Sequence, residues 1–90
     1  MTKEPVVFSE QDDPNLFMFW CPGCKCGHWF RTPPWTFNGD MIKPTVRGSI
    51  LVGKEKPPRC HLFIESGKIR FLNDCDHNLK GQTIPMEPFP

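Results

Sequence analysis

The chain has 90 residues, eleven lysines and arginines against ten acids and a formal net charge of +1, so no global field draws it to nucleic acid. A chain this short makes one domain with a core too small to hold it alone, and five cysteines, an odd number, beside three histidines point to a structural metal rather than a purely disulfide framework. No run approaches the roughly 18–20 apolar residues that span a bilayer and the N-terminus shows no secretory pattern, which sets the expectation of a reducing, cytosolic compartment without membrane contact.

Residues 1–15 set Lys3 against Glu4, Glu10, Asp12 and Asp13 and read as an acidic, partly mobile arm with one short extended piece at Val6-Val7-Phe8. Leu16 to Trp20 is almost wholly apolar and reads as a buried strand. It delivers Cys21-Pro22-Gly23-Cys24, whose tight turn aims two thiolates at one point. Beyond it, Cys26, His28 and Phe30 alternate with Gly27, Trp29 and Arg31, the pattern of a return strand.

Pro33-Pro34 breaks that strand, because proline lacks the ladder N–H. Trp35-Thr36-Phe37 predicts a short strand stopped by the turn dipeptide Asn38-Gly39. Thr45 to Val52 is a β-rich run in which Gly48 marks a bulge, and residues 53–58 form a charged loop. Cys60 to Glu65 and Lys68 to Asn73 flank Ser66-Gly67, so a two-residue turn pairs Glu65 with Lys68, Ile64 with Ile69, Leu62 with Phe71 and Cys60 with Asn73. In that register Cys60, Leu62, Ile64, Ile69, Phe71, Asn73 and Cys75 share the core face, while His61, Phe63, Glu65, Lys68 and Arg70 share the other. Residues 76–81 predict one helical turn ended by Gly81, and residues 83–90 an extended C-terminal tail. Eleven prolines and no long 3.6-residue period exclude a helical bundle. The expected fold is mainly β: a zinc-ribbon-like domain of β-hairpins over residues 16–82, with extended termini and little helix.

One structural Zn²⁺ is expected at Cys21, Cys24, Cys60 and Cys75, two ligands from each hairpin. The alternatives exchange a later cysteine for His28, His61 or His77, or use all eight Cys and His positions for two ions. A Cys60–Cys75 disulfide is a further alternative that the register permits. Cys26 reads either as a small buried hydrophobe or as a ligand or reactive thiol. His61, opposite the cysteine face, reads as a surface residue or a partner of a ligand, and His28 and His77 as ligands, hydrogen-bond partners of ligands or a base. Trp29 and Trp35 are candidates for an exposed contact surface, with Lys43, Arg47, Lys54, Lys56 and Arg59 as its basic side.

Phe19-Trp20-Cys21-Pro22-Gly23-Cys24 with Gly27-His28, then Trp35-x-Phe37-Asn38-Gly39-Asp40, Lys43-Pro44-Thr45, Ser49-Ile50-Leu51, Arg59-Cys60-His61, Gly67-Lys68-Ile69 and Asn73-Asp74-Cys75-x-His77-x-Leu79-x-Gly81-Gln82-Thr83 together resemble a family of small proteins. These are Cys/His-rich, uncharacterised and carried mainly by tailed bacteriophages and prophages. The label ammonia monooxygenase that some of them bear does not suit a chain with nothing able to span a bilayer. The resemblance implies phage origin and a bacterial cytoplasm, and no enzyme class.

The leading expectation is therefore a non-enzymatic accessory protein that binds a host or phage macromolecule, first of all a protein, and modulates host machinery or defence. A second expectation, from a different class, is a zinc-dependent hydrolase using His28, Asp74 and His77 around an open metal position. A third is a nucleic-acid-binding zinc ribbon using the basic stretch and the tryptophans.

Overall fold

A computed structural model describes residues 4–53 and 59–90. The expected loop at residues 54–58, with Lys54 and Lys56, lies outside the described residues. Eight strands form two antiparallel sheets. The first sheet is β1 (Val7–Glu10), β2 (Asp13–Cys21) and β3 (Cys26–Arg31) in that order; the second is β4 (Thr36–Phe37), β5 (Val46–Val52), β6 (Cys60–Glu65), β7 (Lys68–Phe71) and β8 (Thr83–Pro85). No helix is assigned among the described residues, and none is long and apolar enough to cross a membrane.

Both sheets feed one core. Phe19 and Phe30 from the first meet Val46, Ile50, Leu62, Ile64, Ile69 and Phe71 from the second, and Phe37 on β4 packs edge-on against Phe17 and Phe30 at 4.9 and 5.5 Å. The β6–β7 hairpin has the register that its alternation requires, with Glu65 opposite Lys68, Ile64 opposite Ile69 and Leu62 opposite Phe71. Its turn places Ser66 at φ 51° and Gly67 at φ 77°, the doubly left-handed geometry that matches strand twist. The ladder stops at Phe71, so Asn73 has no strand partner opposite Cys60.

The short extended piece expected at Val6-Val7-Phe8 and the extended C-terminal stretch each contribute a strand to a sheet. Val7 pairs with Phe19 and Phe8 with Met18, and Val6 and Val7 are buried. At the other end Ile69 pairs with Ile84, Met86 is buried, and Phe89 packs edge-on against Phe8 and Trp20. Acidic and proline residues hide these two strands in the sequence, because a strand's pairing partner is not local information. Residues 76–81 make i→i+3 turns, His77 to Lys80 and Leu79 to Gln82, rather than a helical turn.

The bulge in β5 bears on the site. Val46 pairs with Ile64 and Ile50 with Leu62, so four steps along β5 match two along β6. Gly48 sits in this bulge at φ 105°, and a Cβ there would lie 3.0 Å from the Trp35 ring. Only glycine combines that φ with that approach.

Candidate metal centre and the face behind it

The Cys-Pro-Gly-Cys turn and the start of β6 converge. Cys21, Cys24, His28 and Cys60 bring their ligand atoms within 4.8 Å of one another, and Cys60, Cys75 and His77 form a second such group that shares Cys60. These groups are positioned to hold a metal ion. Local turn chemistry explains the first pair: Cys24 N–H donates to Cys21 Sγ at 3.4 Å and Lys25 N–H to the Cys21 carbonyl at 2.8 Å. Alternation along β3 then turns His28 inward beside them, where it is buried and its Nε2 has no hydrogen-bond partner among the described residues. A buried imidazole nitrogen without a partner is costly and fits a ligand atom better than a packing group.

The sulfurs crowd each other. Cys21 and Cys60 lie 3.8 Å apart, and the Cys60 thiol, as donor, holds Cys21 down at about 4 against the opposing effect of burial. Cys60 is pushed up by the same contact and by burial, and Cys24 is pushed up to about 12 by burial and by the charge on Cys21. A pocket of this kind bears one thiolate without a cation. A divalent ion would ionise all three, as thiolate ligation requires.

His77 approaches from the other side, over the knuckle, where a Cβ on Gly23 would collide with its ring. Leu79 N–H donates to His77 Nδ1 at 3.2 Å. In the neutral ring the hydrogen is thereby assigned to Nε2, which stands 3.4 Å from Cys60 Sγ as a donor to sulfur. Cys75 is occupied by the backbone: its Sγ accepts His61 N–H at 3.2 Å and donates to the His61 carbonyl at 3.1 Å. Two residues before His61 and one after Cys75, Arg59 N–H donates to Asp76 Oδ2 at 2.7 Å and Asp76 N–H to the Arg59 carbonyl at 2.9 Å. Segments 59–61 and 74–76 are thus stitched together. All five cysteines are free thiols, so the Cys60–Cys75 disulfide does not form here.

The stitching has an effect on the opposite face. His61 turns outward as strand alternation requires, and its Nδ1 meets the Asp74 carboxylate at 3.1 and 3.3 Å. Leu51 is its direct cross-strand partner on β5. Ser49, two positions before Leu51 and next to the buried Ile50, falls on that outer face by simple alternation from Leu51, and it lies in the stretch where the β5–β6 register shifts and no cross-strand partner is assigned to it. The other two serines do not share it: Ser9 pairs with Phe17 in the first sheet, and Ser66 is in the β6–β7 turn. A lone strand serine has no local motif, so what distinguishes Ser49 is its place two residues before Leu51, the cross-strand partner of His61.

Other expected site residues are dispersed. His28 is in the first Cys/His group and His77 in the second, whereas Asp74 is in neither, so the three residues named for a metal-dependent hydrolase do not gather at one ion. Cys26 is exposed and in neither group, not a buried hydrophobe. Trp29 is 61% exposed and, with half-buried Trp35, lines a cavity of about 450 Å³ between β3 and β5. Arg47 lines a separate cavity of about 250 Å³ with Gly48, Phe63 and Arg70. Lys43 lies by the Gly67 turn, and Arg59 is next to Cys60. Among the described residues, the basic side chains and the tryptophans therefore do not form one patch.

Fold and site together define a small all-β protein with a Cys/His cluster on one face of a strand and a His–Asp pair on the other. A family model described as BubE, a bacterial ubiquitination-like system serine protease, matches residues 1–72. The chain belongs to that family. The matched span contains all three serines and His61, and the description mentions neither phages nor a metal. No curated protein and no solved structure matches the chain.

Proposed function

We propose that this chain is a serine hydrolase of a bacterial ubiquitination-like system, with Ser49 as nucleophile, His61 as general base and Asp74 as the group that orients it. The observation that carries the proposal is the His61 Nδ1 contact with Asp74; Ser49 is assigned as nucleophile because alternation from Leu51, the cross-strand partner of His61, brings it to the same side. Asp74 accepts the Nδ1 hydrogen, which leaves Nε2 as the basic nitrogen. His61 Nε2 takes the hydroxyl proton as Ser49 Oγ attacks a carbonyl carbon, then passes it to the leaving group. Water, activated by the same nitrogen, hydrolyses the acyl-enzyme. Catalytic hydrogen bonds are commonly long before substrate binds, so in this proposal the Ser49–His61 hydrogen bond forms with substrate in place.

The metal has a separate part. Cys21, Cys24, Cys60 and His28 fit Zn²⁺ by donor type and mutual spacing, with His77 donating to Cys60 and Cys75 clamping the backbone of His61. Zinc bound there pins β6 to the knuckle and contributes folding energy. The hydrolytic steps run on Ser49, His61 and Asp74.

Labelling with a fluorophosphonate tests the reading. The expected adduct is on Ser49, absent in Ser49→Ala and His61→Ala and retained in Ser9→Ala and Ser66→Ala. An unlabelled protein with zinc bound overturns it. The exposure of Trp29 favours a second reading, a zinc-held module that docks a host or phage protein without catalysis, and that outcome would leave it standing.

A further inference from the structure

The cavity of about 450 Å³ is touched by four consecutive residues of β3, His28 to Arg31, and three of β5, Ile50 to Val52. Successive strand residues point to opposite faces, so a hollow that touches them in unbroken series runs along strand edges rather than over a face. Among the described residues both edges are open. Strand β3 pairs only with β2 there, and β5 beyond Arg47 only with β6, because β4 ends after Thr36 and Phe37. Trp35 closes one end: its backbone N–H donates to the Arg31 carbonyl at 3.2 Å and its Nε1 to the Ser49 carbonyl at 3.0 Å. From there the groove runs toward His28 and Val52, with Phe30 and Ile50 buried in its floor and Trp29 and Leu51 exposed on its rims.

We propose that an extended, uncharged peptide adds as a strand in this groove, and that it is the substrate segment presented to Ser49; the substrate role rests on the serine-hydrolase reading above. An open strand edge offers a row of backbone donors and acceptors that only another extended backbone satisfies. The side-chain chemistry follows from the lining. Its one charged residue, Arg31, is already paired with Asp13, so nothing is left to match a charged peptide or a phosphate backbone. The rims supply aromatic and aliphatic contact. Position supplies the link to chemistry, since a chain lying along β5 ends beside Ser49, which adjoins the lining residue Ile50 at the Trp35 end.

The test uses the full chain with zinc bound, ¹⁵N-labelled, and an acetylated, amidated hexapeptide of alternating valine and threonine as probe. Expected are saturating amide shifts at residues 28–31 and 49–52, loss of binding when alternate peptide nitrogens are methylated, and about tenfold weaker binding in Trp29→Ala. Equal binding of the methylated peptide, shifts elsewhere or no shifts overturn the groove. So does salt-sensitive displacement by a single-stranded oligonucleotide, which would assign the rims to stacked bases. Fluorophosphonate labelling separates the two failures. A labelled Ser49 without peptide shifts removes the groove, and peptide shifts without labelling remove the substrate assignment.

Discussion

Cys60 and His61 are neighbours on β6 that point in opposite directions. Cys60 is fully buried among sulfurs, whereas His61 is half-buried on the outer face beside a carboxylate. In the proposed function the inner group serves stability and the outer one reaction, and one strand carries both because its side chains alternate. Cys75 and Asp74 repeat the arrangement on the facing segment. Whatever holds the inner pair also fixes the distance between the outer pair, so a rigid cluster that grips the backbone of His61 through Cys75 can support its side chain on the other face.

The two faces differ most in what their loss does. Zinc at thiolate-rich sites contributes about 10–16 kcal/mol, comparable to the whole stability of an ordinary domain at about 5–15 kcal/mol. Chelation, or Cys21→Ala, Cys24→Ala or Cys60→Ala, is therefore expected to abolish the cooperative melt in circular dichroism. A folded, metal-free chain would break the comparison on its inner side. Because Cys24 and Cys60 are pushed up, both hold protons at neutral pH and release them to the ion. Affinity is thus expected to weaken as pH falls, by about two logarithmic units per pH unit near neutrality, as calorimetry in buffers of different protonation enthalpy measures.

On the outer face the expected losses are kinetic. Ser49→Ala or His61→Ala should lower hydrolysis of an activated ester by at least about 10³-fold, and Asp74→Asn by a similar factor through the wrong imidazole tautomer. Melting temperature and zinc content should remain near those of the unaltered chain. A parallel loss of zinc would mean that the two faces are not separable.

Cys75 sharpens the comparison, since it clamps His61 from the inner side. Cys75→Ser retains a donor and acceptor and is expected to keep zinc and most of the activity, whereas Cys75→Val should keep zinc and lose about tenfold in rate. Cobalt substitution reads out the alternative: a loss of thiolate-to-metal absorption in Cys75→Ser would make Cys75 a ligand.

The smallest effect is remote from both faces. Asp40 accepts N–H groups from Lys43 and Ile42, each at 2.9 Å, and these bonds hold its carboxyl below the usual range. A lowered folded-state value contributes stability above the unfolded value that is lost as pH falls through the folded one. Asp40→Asn should flatten that part of the urea-midpoint profile and leave metal affinity and ester hydrolysis unaltered.

Much of this was legible in the residues. The β class, the β6–β7 register, the inward turn of His28, the outward turn of His61 and the bulge at Gly48 follow from alternation and turn chemistry, which act over a few residues. The convergence of Cys21, Cys24 and Cys60 was also accessible, because the knuckle and the hairpin each aim their ligands. By itself, then, the sequence determined local geometry and the kinds of donor available. Only the tertiary structure decided that residues 7–10 and 83–85 close the sheets, that Cys75 binds the backbone of His61, that Asp74 meets His61 and that the β5–β6 ladder slips around Ser49. Those outcomes depend on which strands lie side by side and on a two-residue slip in one ladder, and neither is written in any short stretch of chain.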